Sequence, residues 1–458
     1  EYTGYLSPDV LKSLPVATTV GNHDADNANY TYHFNTPNSS DLGSNGVVGG
    51  DYYFTYGNTL FMMLNTQDTN VAEHKQFMEQ AVATNPNCTW RVVTLHQDIY
   101  GSAEHSNEPE ITNLRYTLVP YFEANDVDVV LTGHDHAYSR THILEGGHKT
   151  VEYTDDEFDA KLDKDMDAGE NPATRYEAPA NISADSKEPA DVAYLNYLNA
   201  VMDKDAVEDT EKGETVVNPD GILYMTANSS SGSKYYDLVP RMQSYIANRW
   251  QEDVPTYSVI DVTDNTFTIN TYRTDNDQKI DETFTIKKGV TEDIKSASVG
   301  NVKNQIYTGK QIQPAIKVTL NGKTLKAGKD YTVTYTDNKN TGLAKATING
   351  IGKYTGTQTV TFKIVPKKAV LKTVKAGKSG TATVTIGKAG GKVSGYAIQV
   401  STDSSFKKVT TYRTAKTTYT LKNLSKGKTY YVRVKAFTKV SDKNVYGAAS
   451  KTIKVKAK

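Results

Sequence analysis

Three short segments in the first third of the chain place potential metal-binding side chains directly after runs of β-branched residues. Gly21-Asn22-His23-Asp24 follows Pro15–Val20, His96 follows Val92-Val93-Thr94-Leu95, and Gly133-His134-Asp135-His136 follows Val127–Thr132. Short apolar runs that stop at a turn read as buried strands. In open α/β sheets, ligands bind just beyond the C-terminal ends of the strands. The pattern therefore predicts that Asn22, His96, His134 and His136 meet in one pocket. Imidazole nitrogens and an amide oxygen suit zinc, iron or manganese. Each segment alone says little, because a single histidine after a strand is more often a hydrogen-bonded loop residue. It is the three together, in this order, that point to a metal.

The elements that must carry these groups can be read around them. Tyr52–Tyr56 and Thr59–Asn65 flank a Gly57-Asn58 turn as a hairpin. Val71–Thr84 and Glu110–Ala124 show helical stripes, with His74 placed on the exposed side of the first. Arg91–Leu95, Val127–Thr132 and Gly221–Ala227 read as buried strands. Tyr257–Val262, Thr266–Arg273 and Glu282–Ile286 alternate as sheet strands do. Strands mixed with helices imply α/β layers with some parallel pairing. Between about 150 and 220 the chain turns polar and acidic, which reads as a surface insertion with one helix, Asp191–Met202. Its carboxylates match no calcium-loop spacing and read as solvated acid.

These motifs resemble the last three of the calcineurin-like metallophosphoesterases. Gly133-His134-Asp135-His136-Ala137-Tyr138-Ser139-Arg140, with His105 nine residues after His96, is closest to the purple-acid-phosphatase branch. The resemblance covers about residues 1–285. It implies a four-layer α/β (α+β) sandwich of two mixed sheets flanked by helices, with two divalent or trivalent metals (iron, zinc or manganese) at the strand ends of the intact protein. Carried over residue by residue, Asn22, His96 and His134 match the ligands of one metal, and His136 matches a ligand of the other. His23 matches the histidine that contacts the phosphoryl oxygens and helps protonate the leaving group. His105 matches a second phosphate contact. The family's two earlier motifs, an Asp-x-His or Asp-x-Gly pair and the bridging aspartate of a Gly-Asp motif, are not found in Glu1–Val20. The chain thus looks like a protein lacking its N-terminal portion, with part of the dinuclear site missing. Arg140 is expected to form a structural salt bridge, Asp135 to point away from the metals, and Cys88 to be a buried small hydrophobe. His33, His142 and His148 have no motif partner.

After about residue 290 the helical periodicity ends and the charge reverses. Net charge is −28 over residues 1–290 and +27 over residues 291–458. Such a reversal marks a domain boundary. Short strands with Gly, Asn and Lys turns predict two all-β sandwiches, at 291–365 and 367–458. The first resembles bacterial immunoglobulin-like repeats, through Ile306-Tyr307-Thr308-Gly309-Lys310 and Asp330-Tyr331-Thr332-Val333. The second resembles a fibronectin type III domain, through Gly395–Val400 and a tyrosine corner at Tyr430, with Ile386 in place of the usual tryptophan. These tails imply a secreted or surface-held bacterial protein whose basic region either binds an anionic cell-wall polymer or simply keeps the surface soluble. Nucleic acid is not expected, because aromatic and basic residues do not interleave on a predicted face.

The remaining composition narrows the class. Hydrophobic residues make up 37% and charged residues 23% of 458, which suits folded domains. The single cysteine, Cys88, excludes a disulfide framework and cysteine-based metal sites. No apolar run reaches membrane-spanning length. The expected activity is metal-dependent hydrolysis of phosphate monoesters. Phosphodiester or nucleotide hydrolysis, or a non-catalytic surface-binding role, are the alternatives.

Overall fold

Val92, Val93, Val129 and Val130 have no exposed surface, on either side of their strands. Strands buried on both faces belong to a parallel sheet covered above and below, and the computed structural model builds that sheet. It describes residues 2–147, 152–167, 180–209 and 215–458. His148 and parts of the acidic insertion lie outside these. Two compact units, Glu1–Gly289 and Val290–Lys458, divide the chain.

In the first unit, the short helices α1 (Tyr2–Tyr5) and α2 (Asn29–His33) precede the hairpin β1 (Tyr52–Tyr56) and β2 (Thr59–Met63). There follow α3 (Val71–Thr84), β3 (Trp90–Thr94), α4 (Pro109–Ala124), β4 (Val129–Thr132) and β5 (Tyr138–Leu144). Helices α5 (Asp155–Met166) and α6 (Pro189–Ala200) come next, then β6 (Val207–Asp209), β7 (Thr215–Val217), β8 (Ile222–Thr226) and β9 (Ile246–Trp250). Strands β10 (Thr256–Val262), β11 (Thr266–Arg273) and β12 (Phe284–Lys287) complete the unit.

The larger sheet runs β1-β2-β3-β4-β8-β5, with β6 and β9 each pairing with β5. Strands β2, β3, β4 and β8 are mutually parallel. The smaller sheet is β10-β11-β12-β7. One apolar cluster joins the larger sheet to α3 and α4 through Phe77, Met78, Leu118 and Phe122. A second joins the two sheets through Trp90, Val92, Val129, Phe267, Ile269 and Phe284. A mixed α/β sandwich of two sheets with helices is thus the fold of this unit. No helix among the described residues is long and apolar enough to cross a membrane.

Register does the positioning. Met63 pairs with Thr94, Thr94 with Leu131, and Thr132 with Thr226, so neighbouring parallel strands end level. His96 and His134 each stand two residues beyond such an end. The Gly133 N–H donates to the His96 carbonyl at 3.0 Å, which carries the ladder into the loops.

Three expectations fail here. Pro15–Val20 forms no strand: the segment pairs with none, and only Val20 in it is buried. Pro15 has no N–H to offer a ladder. The Thr18 carbonyl is instead taken by the hydroxyls of Tyr30, at 3.0 Å, and Tyr52, at 2.6 Å. His74 is not on an exposed face either. It is fully buried, with Nδ1 2.8 Å from Asp51 and Nε2 2.9 Å from the Asp68 carbonyl. Burial pulls its pKa down, but the bond to Asp51 and that residue's charge outweigh it, and the net shift is upward. Among its described residues the acidic stretch holds two helices rather than one. Helices α5 and α6 share a small core of Phe158, Leu162, Tyr194 and Tyr197, against which Tyr116 of α4 packs.

The second unit contains two cores. One gathers Ile294, Val318, Ala344, Ile348, Phe362 and Ile364. The other gathers Val384, Ile386, Ile398, Leu421, Val432 and Val434. Around the latter, one sheet orders Val370–Ala376, Ala382–Gly387 and Thr418–Leu421. The other orders Thr410–Thr414, Gly395–Ser401, Thr429–Val440 and Lys443–Tyr446, with Ile453–Lys456 also on Thr429–Val440. Ile386 fills its core position at 2% exposure. The Tyr430 hydroxyl accepts the Ser425 N–H at 2.9 Å, which is the expected tyrosine corner.

Candidate metal centre

Five histidines, an asparagine and a tyrosine form an unbroken arc beyond the strand ends. Asn22 Oδ1 lies 2.9 Å from His96 Nε2. The His96 ring stands edge-on to His134, with centroids 5.0 Å apart, and His134 lies 4.8 Å from His105. Tyr236 closes the arc, 4.8 Å from His105 and 5.1 Å from His136. His23 is exposed on the same rim, near enough for its charge to act on His96. All six residues singled out from the sequence are therefore neighbours.

Each is held by something specific. Without a strand beneath them, Gly21–His23 depend on Asp24, which accepts the Gly21 N–H at 3.1 Å and the Tyr2 hydroxyl. A Cβ at Gly21 would come within 2.9 Å of the His96 ring, so only glycine permits this approach. His134 and His136 adopt left-handed backbone, with φ of 69° and 45°. Such strain costs about 1–3 kcal/mol per residue and persists where a site requires it. Here the surroundings impose it: Gln251, fully buried, donates to the His136 carbonyl at 2.6 Å.

The electrostatics leave nitrogen lone pairs available. Burial, followed by the charges of His134, His136 and His23, pushes His96 down to about 3. Burial also lowers His134 and His136. Metal binding needs the neutral imidazole. His136 Nδ1 faces the Lys234 carbonyl at 3.1 Å, which leaves Nε2 as its free acceptor.

Beneath the arc lie two fully buried carboxylates, Asp98 and Asp135. Together with His134 they bring one ligand atom each within 4.8 Å. Asp135 already accepts the N–H groups of Ala103 and His105 and the Ser106 hydroxyl, so its carboxylate is held by the loop. Asp98 lies 3.4 Å from His134 Nδ1, and neither side is otherwise hydrogen-bonded. A buried carboxylate aimed at one imidazole nitrogen turns the other nitrogen toward a cation. The orphaned pair and the neutral nitrogen-and-amide donor set both fit a transition metal held by Asn22, His96 and His134. Burial raises Asp98 to about 6. Asp98→Asn should weaken metal binding about 10–100-fold with little change in fold, measured by competition with a chromogenic chelator. Unchanged affinity would show that Asp98 does not orient His134.

Sequence reasoning missed Asp98, Glu108, Lys234 and Tyr236. Glu108 Oε1 sits 2.5 Å from His105 Nδ1. Burial lowers His105, but the Glu108 bond and the charges of Asp135, Glu108 and Asp98 overcome this and lift it to about 10. Its i,i+3 spacing was the available signal. Lys234 and Tyr236 lie on the loop after β8, whose parallel neighbour β4 delivers His134. The strand-end rule that found the histidines also points to that loop. Arg140 does form a structural bridge, 2.6 Å from Asp281.

In this α/β sandwich, imidazoles that follow β3 and β4 meet the Asn22 amide, which a loop delivers. Residues 2–138 match the calcineurin-like phosphoesterase family, and residues 371–452 match the fibronectin type III domain. The chain carries a calcineurin-like phosphoesterase domain and, at its C-terminal end, a fibronectin type III domain. Two uncharacterized proteins of Mycobacterium tuberculosis, from strains CDC 1551 and H37Rv, are 26% identical over 173 residues, which is 32% of this chain and 32% of each relative. The match thus spans about a third of those relatives' length. Among solved structures, the purple acid phosphatase PPD1 from yellow lupin (Lupinus luteus) seeds is similar at 13% identity and a TM-score of 0.33, covering 52% of this chain and 32% of that one. The sixth fibronectin type III domain of a human fibronectin type III domain containing protein is similar at 22% identity and a TM-score of 0.17, covering 20% and 85%.

Proposed function

We propose that the first unit hydrolyses phosphate monoesters with metal held by Asn22, His96 and His134 and a second position served by His136. The juxtaposition of Asn22, His96 and His134 carries this reading. A bound transition metal supplies positive charge for the phosphoryl oxygens and a nucleophile ionised near neutrality. Neutral donors leave that charge largely uncancelled, which favours an anionic substrate.

The protein's own groups do the rest. His105, raised to about 10, stays imidazolium through neutrality and offers a fixed cation to a phosphoryl oxygen. That charge is present at pH below 10 and is lost as pH rises through it. Glu108 fixes its ring. His23 contacts a phosphoryl oxygen and gives a proton to the departing ester oxygen as the P–O bond breaks. Water contributes the new P–O bond, and the products are phosphate and an alcohol.

The protein works outside the cell or on its surface. Residues 291–365 act there as an immunoglobulin-like spacer, and the basic region faces an anionic polymer of the envelope.

The test is turnover of p-nitrophenyl phosphate by the full chain, stripped with chelator and reloaded with Mn²⁺, Zn²⁺ or iron, alongside bis(p-nitrophenyl) phosphate. Metal-restored turnover that favours the monoester supports the proposal. Preference for the diester would transfer the site to phosphodiesters, and no turnover of either would leave a binding protein.

A further inference from the structure

The C-terminal sandwich carries a cleft of 780 Å³ that the phosphoesterase reading does not use. It opens between two sheet-edge strands, Thr410–Thr414 on one sheet and Thr418–Leu421 on the other. Tyr412 and Tyr419, one from each edge, bring their rings to 5.6 Å, and Tyr430 lines the same cleft. Lys408, Thr420 and Lys422 stand exposed among its lining residues. No carboxylate lines it.

Lysines on edge strands ordinarily blunt strand-to-strand aggregation. That accounts for the scattered lysines of this sandwich. It does not account for a concavity in the size range of ligand pockets, about 300–1,000 Å³, faced by aromatic rings. The surrounding charge selects the ligand's sign. Residues 367–458 hold 22 Lys and Arg against two acids, Asp403 and Asp442. Asp403 is already engaged by the Ser405 hydroxyl and the Lys407 N–H. Half-buried tyrosine faces suit the C–H face of a sugar ring, and the ammonium groups suit acidic substituents on it. A peptide adding to either edge would use backbone groups and have no need of the rings.

We propose that this cleft binds an anionic polysaccharide, with sugar rings on Tyr412 and Tyr419 and carboxylate or phosphate groups on Lys408 and Lys422. The proposal deepens the surface-attachment reading by giving it a site, and rests on that reading.

Binding of the full chain would be measured to polygalacturonate (carboxylate), a phosphomannan (phosphate), dextran (neutral) and poly-L-glutamate (a non-sugar polyanion). Two cleft variants, Tyr412→Ala/Tyr419→Ala and Lys408→Gln/Lys422→Gln, are set against Lys372→Gln/Lys375→Gln, which removes the same charge from the far edge strand Val370–Ala376. The expected result is binding of at least one anionic glycan about tenfold tighter than dextran or poly-L-glutamate. Each cleft variant should lose about tenfold in affinity, and the far-edge variant less than about twofold. Which glycan binds identifies the acidic group. The lysine pair keeps the test decisive if the tyrosine pair unfolds the sandwich, which its melting curve reports. Equal losses in cleft and far-edge variants would overturn the cleft and leave diffuse surface attachment standing. Equal binding of poly-L-glutamate would overturn it as a sugar site. No glycan binding by the unaltered chain would overturn both.

Discussion

His134→Gly should empty the candidate centre of metal and lower phosphate ester turnover about a thousandfold, corresponding to roughly 4 kcal/mol of barrier. The position is central. Its ring stands between His96 and His105, and Asp98 waits at its other nitrogen. Glycine is the informative replacement because the backbone here has φ of 69°. Alanine would keep the left-handed strain and blur loss of a ligand with loss of stability, whereas glycine adopts this conformation freely. Stability should therefore stay within about 1 kcal/mol of the parent, as relieved strain offsets lost ring contacts and added chain entropy. The checks are bound metal per chain by mass spectrometry, kcat/KM on p-nitrophenyl phosphate, and denaturant unfolding. A variant that keeps both its metal and its turnover would remove His134 from the centre, and with it the reading of the whole arc. A variant that loses metal by unfolding would show up in the third measurement.

Why that arc was legible in advance, and its supports were not, follows from where the information lies. Strands β3, β4 and β8 are buried on both faces, so their sequences are nearly uninterrupted apolar runs, and the residues after them announce themselves. The segment before Gly21 imitates such a run through Val16, Ala17 and Val20, yet its order comes from hydroxyls of Tyr30 and Tyr52, tens of residues away at most and invisible to periodicity. Strand β5 hides for the opposite reason. Ser139, Arg140 and Thr141 look like solvent-facing residues, but all three are buried, Arg140 against Asp281. His74 looks exposed in the helical pattern because its partner Asp51 lies on a loop whose path no local pattern reveals. Helix α5 reads as solvated acid because eight of its twelve residues carry charge, while the apolar pair Phe158 and Leu162 that seats it is only two residues wide. Asp135 supports the centre through contacts with loop backbone and Asp98 through the His134 ring, and neither contact leaves a spacing to read.

Arg115 is the residue on which this hidden support converges, and Arg115→Met should cost the first unit about 3–5 kcal/mol of stability. The side chain is fully buried in α4. Its guanidinium donates to the Ser106 carbonyl at 2.8 Å, to Asn107 Oδ1 at 3.0 Å, to the Val201 carbonyl at 3.2 Å, and to the Ile99 carbonyl. It also lies over the Tyr100 ring at 4.5 Å. Three of those four acceptors belong to the loop from Ile99 to Asn107, between the His96 strand end and α4. That loop carries His105, and Asp98 directly precedes it. Methionine fills much of the same volume, so a simple cavity is avoided. What it cannot replace are the donors, and buried acceptors left without partners cost about 1–3 kcal/mol each. The nearby Asp203 would also lose a cation whose charge it feels. Loosening the loop moves His105 relative to His134, so weaker substrate binding should accompany the stability loss. The pair of measurements is denaturant unfolding and KM for p-nitrophenyl phosphate, with Arg115→Lys as the intermediate case, since it restores the charge without the planar fork. A loss below about 1 kcal/mol would mean that water or neighbouring amides satisfy these carbonyls and that Arg115 does not set the loop.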